Sequence, residues 1–232
     1  MKKRTKHVPA IRRAAPASPK SSITNEPPAS VIREMVSLFN AGKLGLFEMK
    51  AREAIRMWPK NPLGYKALGN LFLSQGRHED SLEHFSQSIR LAPDDAQAHL
   101  NLGSALLGLK RFAEAEASFK RSLALKPDYP QAYNNLGITL LELGRLEEAV
   151  ICYQQALTIK SDFAEARNNL GNARKELGHS EEAEADYRQA LALRPDFAEA
   201  HSNLGKVLLD LGRPGEAEAS YRQALACNPD HV

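Results

Sequence analysis

The residues through which this chain of 232 could do chemistry are its seven histidines, two cysteines and a scatter of adjacent acids. His7, His78, His84, His99, His179, His201 and His231 form no HExxH pattern and no other ligand-spaced cluster, and no strand leads into a glycine-rich phosphate loop. No metal and no cofactor is expected. Cys152 and Cys227 make neither a metal-like nor a redox pair and read as reduced thiols used for packing, which suits a cytoplasmic setting. The acidic pairs Glu147-Glu148 and Glu181-Glu182 fall at helix starts, where negative charge complements the macrodipole. Catalysis within these residues is therefore not expected. What does recur is the amide: Asn101, Asn135, Asn169 and Asn203 stand at intervals of 34, with Asn70, Asn134, Asn168 and Asn172 close by.

Positioning such a row requires elements that repeat at the same interval. Aromatics are scarce while Ala and Leu abound, a helix-rich composition. No apolar run approaches the ~18 residues that span a bilayer, and no apolar middle section of a secretion signal is visible. The net charge of +3 hides two unlike pieces. Residues 1–30 hold Lys2, Lys3, Arg4, Lys6, Arg12, Arg13 and Lys20 against Glu26, and their only large apolar residues are Val8, Ile11 and Ile23. That stretch buries too little to offset its ordering entropy and is expected to be a disordered basic tail. At most it makes weak contacts with nucleic acid, anionic lipid or an acidic partner, since no aromatic is interleaved to stack on bases. The remaining residues carry 24 basic and 27 acidic groups.

Self-similarity organises the rest. Leu68-Gly69, Leu102-Gly103, Leu136-Gly137, Leu170-Gly171 and Leu204-Gly205 recur every 34 residues. An aromatic follows each Gly at a fixed spacing (Phe85, Phe119, Tyr153, Tyr187, Tyr221), with small residues on either side of it, as Ala149 and Ala156 flank Tyr153. Pro93, Pro127, Pro195 and Pro229 close four of the five units, and Ser161 takes that place in the remaining one, 130–163. Within 130–163, the stretches before and after the Gly144-Arg145 turn read as two amphipathic helices, A and B, each too short to be stable alone. Gly144, matched by Gly76, Gly178 and Gly212 but by Lys110 in one unit, can supply the left-handed residue that ends helix A. Gly137 costs about 1 kcal/mol inside a helix, so a close crossing is expected there, with Ala149 and Ala156 facing it and Tyr153 filling the gap to the next unit.

This pattern resembles the tetratricopeptide repeat family, with units at 62–95, 96–129, 130–163, 164–197 and 198–231. A weaker copy precedes them at 28–61, read as a degenerate N-terminal repeat over 31–61 in which Met35 replaces the Gly and Ala51 the aromatic. The resemblance implies an all-α, right-handed superhelical α-solenoid of stacked helix-turn-helix units whose A helices line the concave face. It also implies an interaction scaffold rather than an enzyme.

With each unit numbered from its first residue, positions 4, 7, 8 and 11 form the buried face of helix A and positions 2, 6, 9 and 13 the opposite stripe, with 5 and 12 beside it. Asn101, Asn135, Asn169 and Asn203 occupy position 6, Asn70 and Asn172 position 9, Asn134 and Asn168 position 5. Eight asparagines cost helix propensity of about 4 kcal/mol in all, concentrated on one face. The row is similar to the asparagine ladder in the repeat domain of O-linked N-acetylglucosamine transferases, which implies a groove that pairs with the main chain of an extended segment of another protein. Bracing between neighbouring repeats is the alternative role for these amides. Lys66, Asn70 and Asn101 also match three places of the carboxylate clamp of related co-chaperones, but Gln131 and Asn135 leave the two basic places uncharged, so carboxylate capture is expected to be weak. Glu142, Glu165, Glu176, Glu199 and Asp210 give the C-terminal half of the stripe a preference for basic or neutral partners. Two functions are open: a free-standing scaffold for another protein or peptide, with no small-molecule substrate, or the substrate-recruiting part of a larger transferase-type enzyme with its catalytic domain beyond Val232. The second is motivated by an ending without a polar capping helix, which would also permit self-association.

Overall fold

The computed structural model describes residues 26–228; most of the basic tail, with His7, and the last four residues, with Pro229 and His231, lie outside them. Twelve α-helices and no strands are found among the described residues: α1 (Ala29–Asn40), α2 (Leu44–Met57), α3 (Leu63–Ser74), α4 (His78–Leu91), α5 (Ala96–Gly108), α6 (Phe112–Leu125), α7 (Pro130–Glu142), α8 (Leu146–Ile159), α9 (Ala164–Glu176), α10 (Ser180–Leu193), α11 (Ala198–Asp210) and α12 (Pro214–Cys227). Odd-numbered helices are the A helices and even-numbered ones the B helices. Each packs on its chain neighbours, which builds an α-solenoid.

The turns explain the regularity. Gly42, Gly76, Gly144, Gly178 and Gly212 all hold φ between 66° and 81°, the left-handed conformation that ends a helix without a Cβ penalty. Lys110 takes the same conformation at φ 57°, so the unit whose turn lacks glycine bends like the others at the cost of strain. A cation then roofs the aromatic that enters each of three successive A helices: Lys126 over Tyr129, Lys160 over Phe163 and Arg194 over Phe197.

Within each pair the crossing is set by glycine. A Cβ added to Gly69, Gly103, Gly137, Gly171 or Gly205 would lie 2.6–2.8 Å from the ring of Phe85, Phe119, Tyr153, Tyr187 or Tyr221 respectively. The aromatic therefore sits on the glycine of its own unit rather than filling the gap to the next one, because only hydrogen leaves room for a ring at that crossing. In the first pair the sizes are exchanged: Met35 is the large residue and Ala51 the small one, and both are buried. The buried face of the A helices is also wider than positions 4, 7, 8 and 11. Ala98, Ala132, Ala166 and Ala200 at position 3 and Leu71, Ala105, Thr139, Ala173 and Val207 at position 10 are fully buried. Each A helix after the first is flanked by two B helices, its own and the preceding one. At Gly64, in position 3, the nearest atoms belong to Ala51 and Ile55 of the preceding B helix.

Consecutive A helices from α3 onward approach one another directly, whereas no two B helices do. The A side is thus the short-radius, concave side. The exception is the first pair: no Cα of α1 comes within 8 Å of one in α3, and α1 is joined to the array through α2.

Candidate functional site: the concave asparagine row

The A helices carry the asparagines at positions 5, 6 and 9 onto facing sides of neighbouring units, and the amides meet there. Asn101 Nδ2 donates to Asn70 Oδ1 at 2.6 Å, Asn135 Nδ2 to Ser104 Oγ at 3.2 Å and Asn169 Nδ2 to Asn134 Oδ1 at 3.0 Å. Asn203 Nδ2 is shared between Asn168 Oδ1 at 3.1 Å and Asn172 Oδ1 at 3.0 Å. Position 6 thus reaches back, unit after unit, to position 5 or 9 of the preceding A helix. An amide can do this because it offers donors and an acceptor on one short side chain.

Burial divides the row. Asn134 and Asn168 are 6 % and 1 % exposed, so they lie inside the seam rather than on the groove surface. Asn168 also donates to Glu199 Oε1 at 2.9 Å. Buried amides left unpaired would be costly, which accounts for their full engagement. Asn70, Asn101, Asn135, Asn169, Asn172 and Asn203 are half-buried. The Tyr187 hydroxyl donates to Asn172 Oδ1 at 2.8 Å, tying the position-9 amide to the B helix of its own unit.

Lys66 is already committed. Its ammonium lies 2.8 Å from Asp95 Oδ2, whose other oxygen accepts the backbone N–H groups of Gln97 and Ala98 and caps α5. Partial burial works to raise the Asp95 pKa, but Lys66 and the capping bonds outweigh it and hold the carboxyl below its ordinary value. The three residues that match the carboxylate clamp, Lys66, Asn70 and Asn101, are therefore all engaged within the chain. The acids of the stripe remain exposed: Glu165 pairs with Arg194 at 2.5 Å and Asp210 with Lys175 at 3.7 Å.

Of the two cysteines expected to serve packing only Cys152 is buried, and His99 and His201 brace the backbone. His99 and His201, at the same position of two units, each donate Nε2–H to a carbonyl at 2.9 Å, of Pro93 and Pro195 respectively, so both fasten the turn that precedes their helix. Burial pushes the Cys152 thiol up to about 11, away from thiolate chemistry, while Cys227 is exposed. Among the described residues no three His, Cys, Asp or Glu are grouped to hold a metal ion, and no helix is long and apolar enough to cross a membrane.

Sequence reasoning missed one cluster. Asp186, 2 % exposed, accepts from Arg174 Nη1 at 2.6 Å and lies 3.4 Å from Arg167 Nη1. Burial pushes its carboxyl above the usual aspartate value, against the pull of the two guanidiniums. Comparing units by position would have found it, because Arg174 stands where the other repeats place Phe72, Leu106, Leu140 and Leu208.

Comparisons with known proteins fit this geometry. A tetratricopeptide repeat family model matches residues 49–96, 66–130 and 168–232, more than half of the chain; a second matches 118–151 and a TPR repeat model 139–178. No curated protein matches. Among solved structures, PilF of Pseudomonas aeruginosa superposes with a TM-score of 0.75 at 15 % identity, covering 87 % of this chain and 91 % of that one. TTC0263, a thermophilic TPR protein of Thermus thermophilus, gives 0.64 at 28 % identity over 73 % and 93 %. YrrB, described as a TPR protein with an unusual peptide-binding site, gives 0.61 at 22 % identity over 78 % and 93 %. Tetratricopeptide repeat proteins act as scaffolds that bind other proteins or peptides, and the chain belongs to this family.

Proposed function

We propose that the chain is an interaction scaffold whose concave face binds an extended segment of another protein. The observation that carries this reading is the row of half-buried amides Asn101, Asn135, Asn169 and Asn203, one per A helix, on the side where the A helices converge. The braces use only part of each amide: Asn169 donates one N–H to Asn134 and keeps a second N–H and a carbonyl oxygen for a ligand. Main-chain groups of an extended peptide are the natural complement, since they too alternate donor and acceptor. That YrrB is described as having a peptide-binding site is consistent with this use of the fold. The buried Asn134 and Asn168 act in the same reading as supports, orienting Asn169 and Asn203 from behind.

The same groove would serve a free-standing scaffold or the recruiting arm of a longer transferase-type enzyme; no observed feature favours the enzyme, so the scaffold is the reading adopted. Panning a random peptide library on the protein tests it. Selected peptides are expected to lose affinity on Asn135→Ala and on Asn169→Ala, measured by isothermal titration under conditions where both variants remain folded. Affinities unchanged in both variants would remove the concave amides from any binding role.

A further inference from the structure

The concave face is not amide-lined throughout. On α1 the positions that carry amides further along hold large apolar side chains: Ile32 at position 5 and Val36 at position 9, with Phe39 at position 12 beside them, exposed at 40 %, 54 % and 42 %. The unusual gap between α1 and α3 opens there. A cavity of about 210 Å³, mostly apolar, is lined by these three residues with Met35, Asn40 and Phe47 on one side and Leu63, Lys66, Ala67 and Asn70 on the other. Phe39 and Phe47 meet at a tilt, 5.3 Å between ring centres, within its lining. In the following units the corresponding seam is sealed by helix-to-helix approach and amide bonds; here it stays open and apolar.

We infer that this gap is an anchor site for a bulky apolar side chain, Phe or Leu, at one end of the segment bound in the concave groove, and that the other end of that segment is basic. The inference rests on the groove reading above and deepens it by fixing what the ligand is and which way it lies. Charge complementarity selects the ligand. The acids Glu142, Glu165, Glu176, Glu199 and Asp210 all belong to α7, α9 and α11, where Lys175 and Lys206 are the opposing cations of the stripe, whereas Arg33 stands beside the apolar gap. A basic end is favoured over α7–α11 and disfavoured at α1. Large exposed apolar side chains gathered around a concavity mark a docking position, and the anchor of a docked segment is the side chain that fills the cavity. With A helices ~8–10 Å apart and an extended chain advancing ~3.3 Å per residue, about seven residues separate the anchor from the first basic residue.

A designed probe tests this: a fluorescein-labelled peptide with Phe-Leu at one end, a spacer of about seven Ser and Gly residues, then Lys-Arg-Lys, with controls in which either end is replaced by Ser. Fluorescence anisotropy on the full chain should show saturable binding, weakened about tenfold when either end is removed. Val36→Asp should abolish the advantage conferred by Phe-Leu and leave the peptide lacking it unaffected. Glu142→Lys with Glu176→Lys should do the same for the basic end. Circular dichroism confirms that each variant is folded. A probe whose affinity falls with Asn135→Ala but not with Val36→Asp overturns the anchor and spares the groove. No saturable binding, with library peptides also indifferent to Asn135 and Asn169, overturns both. Two results would assign the gap to another occupant and so also overturn the inference: a dimer in sedimentation that Val36→Asp dissociates, or probe binding gained when Ile11 and Ile23 are changed to Ser, which identifies the chain's own N-terminal segment.

Discussion

Asp186 is held in a slot that other units fill with Ser118, Cys152 or Ser220, opposite an Arg174 that replaces Leu106, Leu140 or Leu208. Removing one partner of a buried pair strands a charge, whereas replacing both by well-packed residues is often neutral or better. Arg174→Leu alone leaves Asp186 only the more distant Arg167, at 3.4 Å, and should destabilise by about 2 kcal/mol. Arg174→Leu combined with Asp186→Ser, the combination already present as Leu106 with Ser118 and Leu208 with Ser220, should recover the parent stability or exceed it. Urea unfolding followed by circular dichroism measures both. A double variant no better than the single one would show that this unit cannot accept the geometry of its neighbours.

At the scale of the element, the first helix pair keeps the crossing while exchanging its two sizes. Met35→Gly should open a cavity and Ala51→Phe should overpack the seam, each costing on the order of 2 kcal/mol. Introduced together they should recover most of that loss, because they restore the arrangement of Gly137 and Tyr153. Thermal midpoints of the four proteins in the double-mutant cycle report the coupling; strict additivity would mean that α1 and α2 do not cross as the later pairs do. Much of this was legible in the sequence. Helical period, the Gly144-type turns and the Leu-Gly crossing all follow from spacing, since each is a local consequence of residue size or backbone freedom. The ring resting on its own glycine was not, because period alone does not say which of Ala149, Tyr153 and Ala156 points at the crossing. The burial of Asn134 and Asn168 was also illegible: it depends on how far one A helix leans on the next, a distance the sequence does not contain. The opening between α1 and α3 escaped for the same reason, although Ile32 and Val36 at amide positions, with Phe39 beside them, were its visible trace.

Across the whole molecule, neighbouring repeats are stitched on their outer edge by charge. Arg145 pairs within its unit with Glu148 at 2.6 Å and across the seam with Glu116 at 2.8 Å; Arg213 does the same with Glu216 at 2.7 Å and Glu184 at 2.7 Å. Lys120 holds the Glu116 carboxyl below the ordinary glutamate value; partial burial opposes it and Arg145 adds to it. A carboxyl whose folded pKa is depressed adds stability above its unfolded value, near pH 4.3, and loses it as the pH falls through the folded one. Glu116→Gln should thus cost about 0.5–1 kcal/mol at neutral pH, typical of a partly exposed pair, and the difference from the parent should vanish under acid. Denaturant midpoints between neutral pH and acid test this. A difference that persists unchanged at low pH would place the effect in side-chain packing instead.

The ring-on-glycine crossing also acts as a gauge. Its spacing is fixed by the thickness of an aromatic ring against a bare backbone, a hard dimension that neither salt nor pH alters, and it recurs in five successive pairs. Surface residues can therefore diverge widely from one unit to the next, and even buried ones can, as Arg174 and Asp186 have, while the pitch of the array stays constant. A ligand laid along the concave face meets a ruler with fixed divisions, on which only the marks differ.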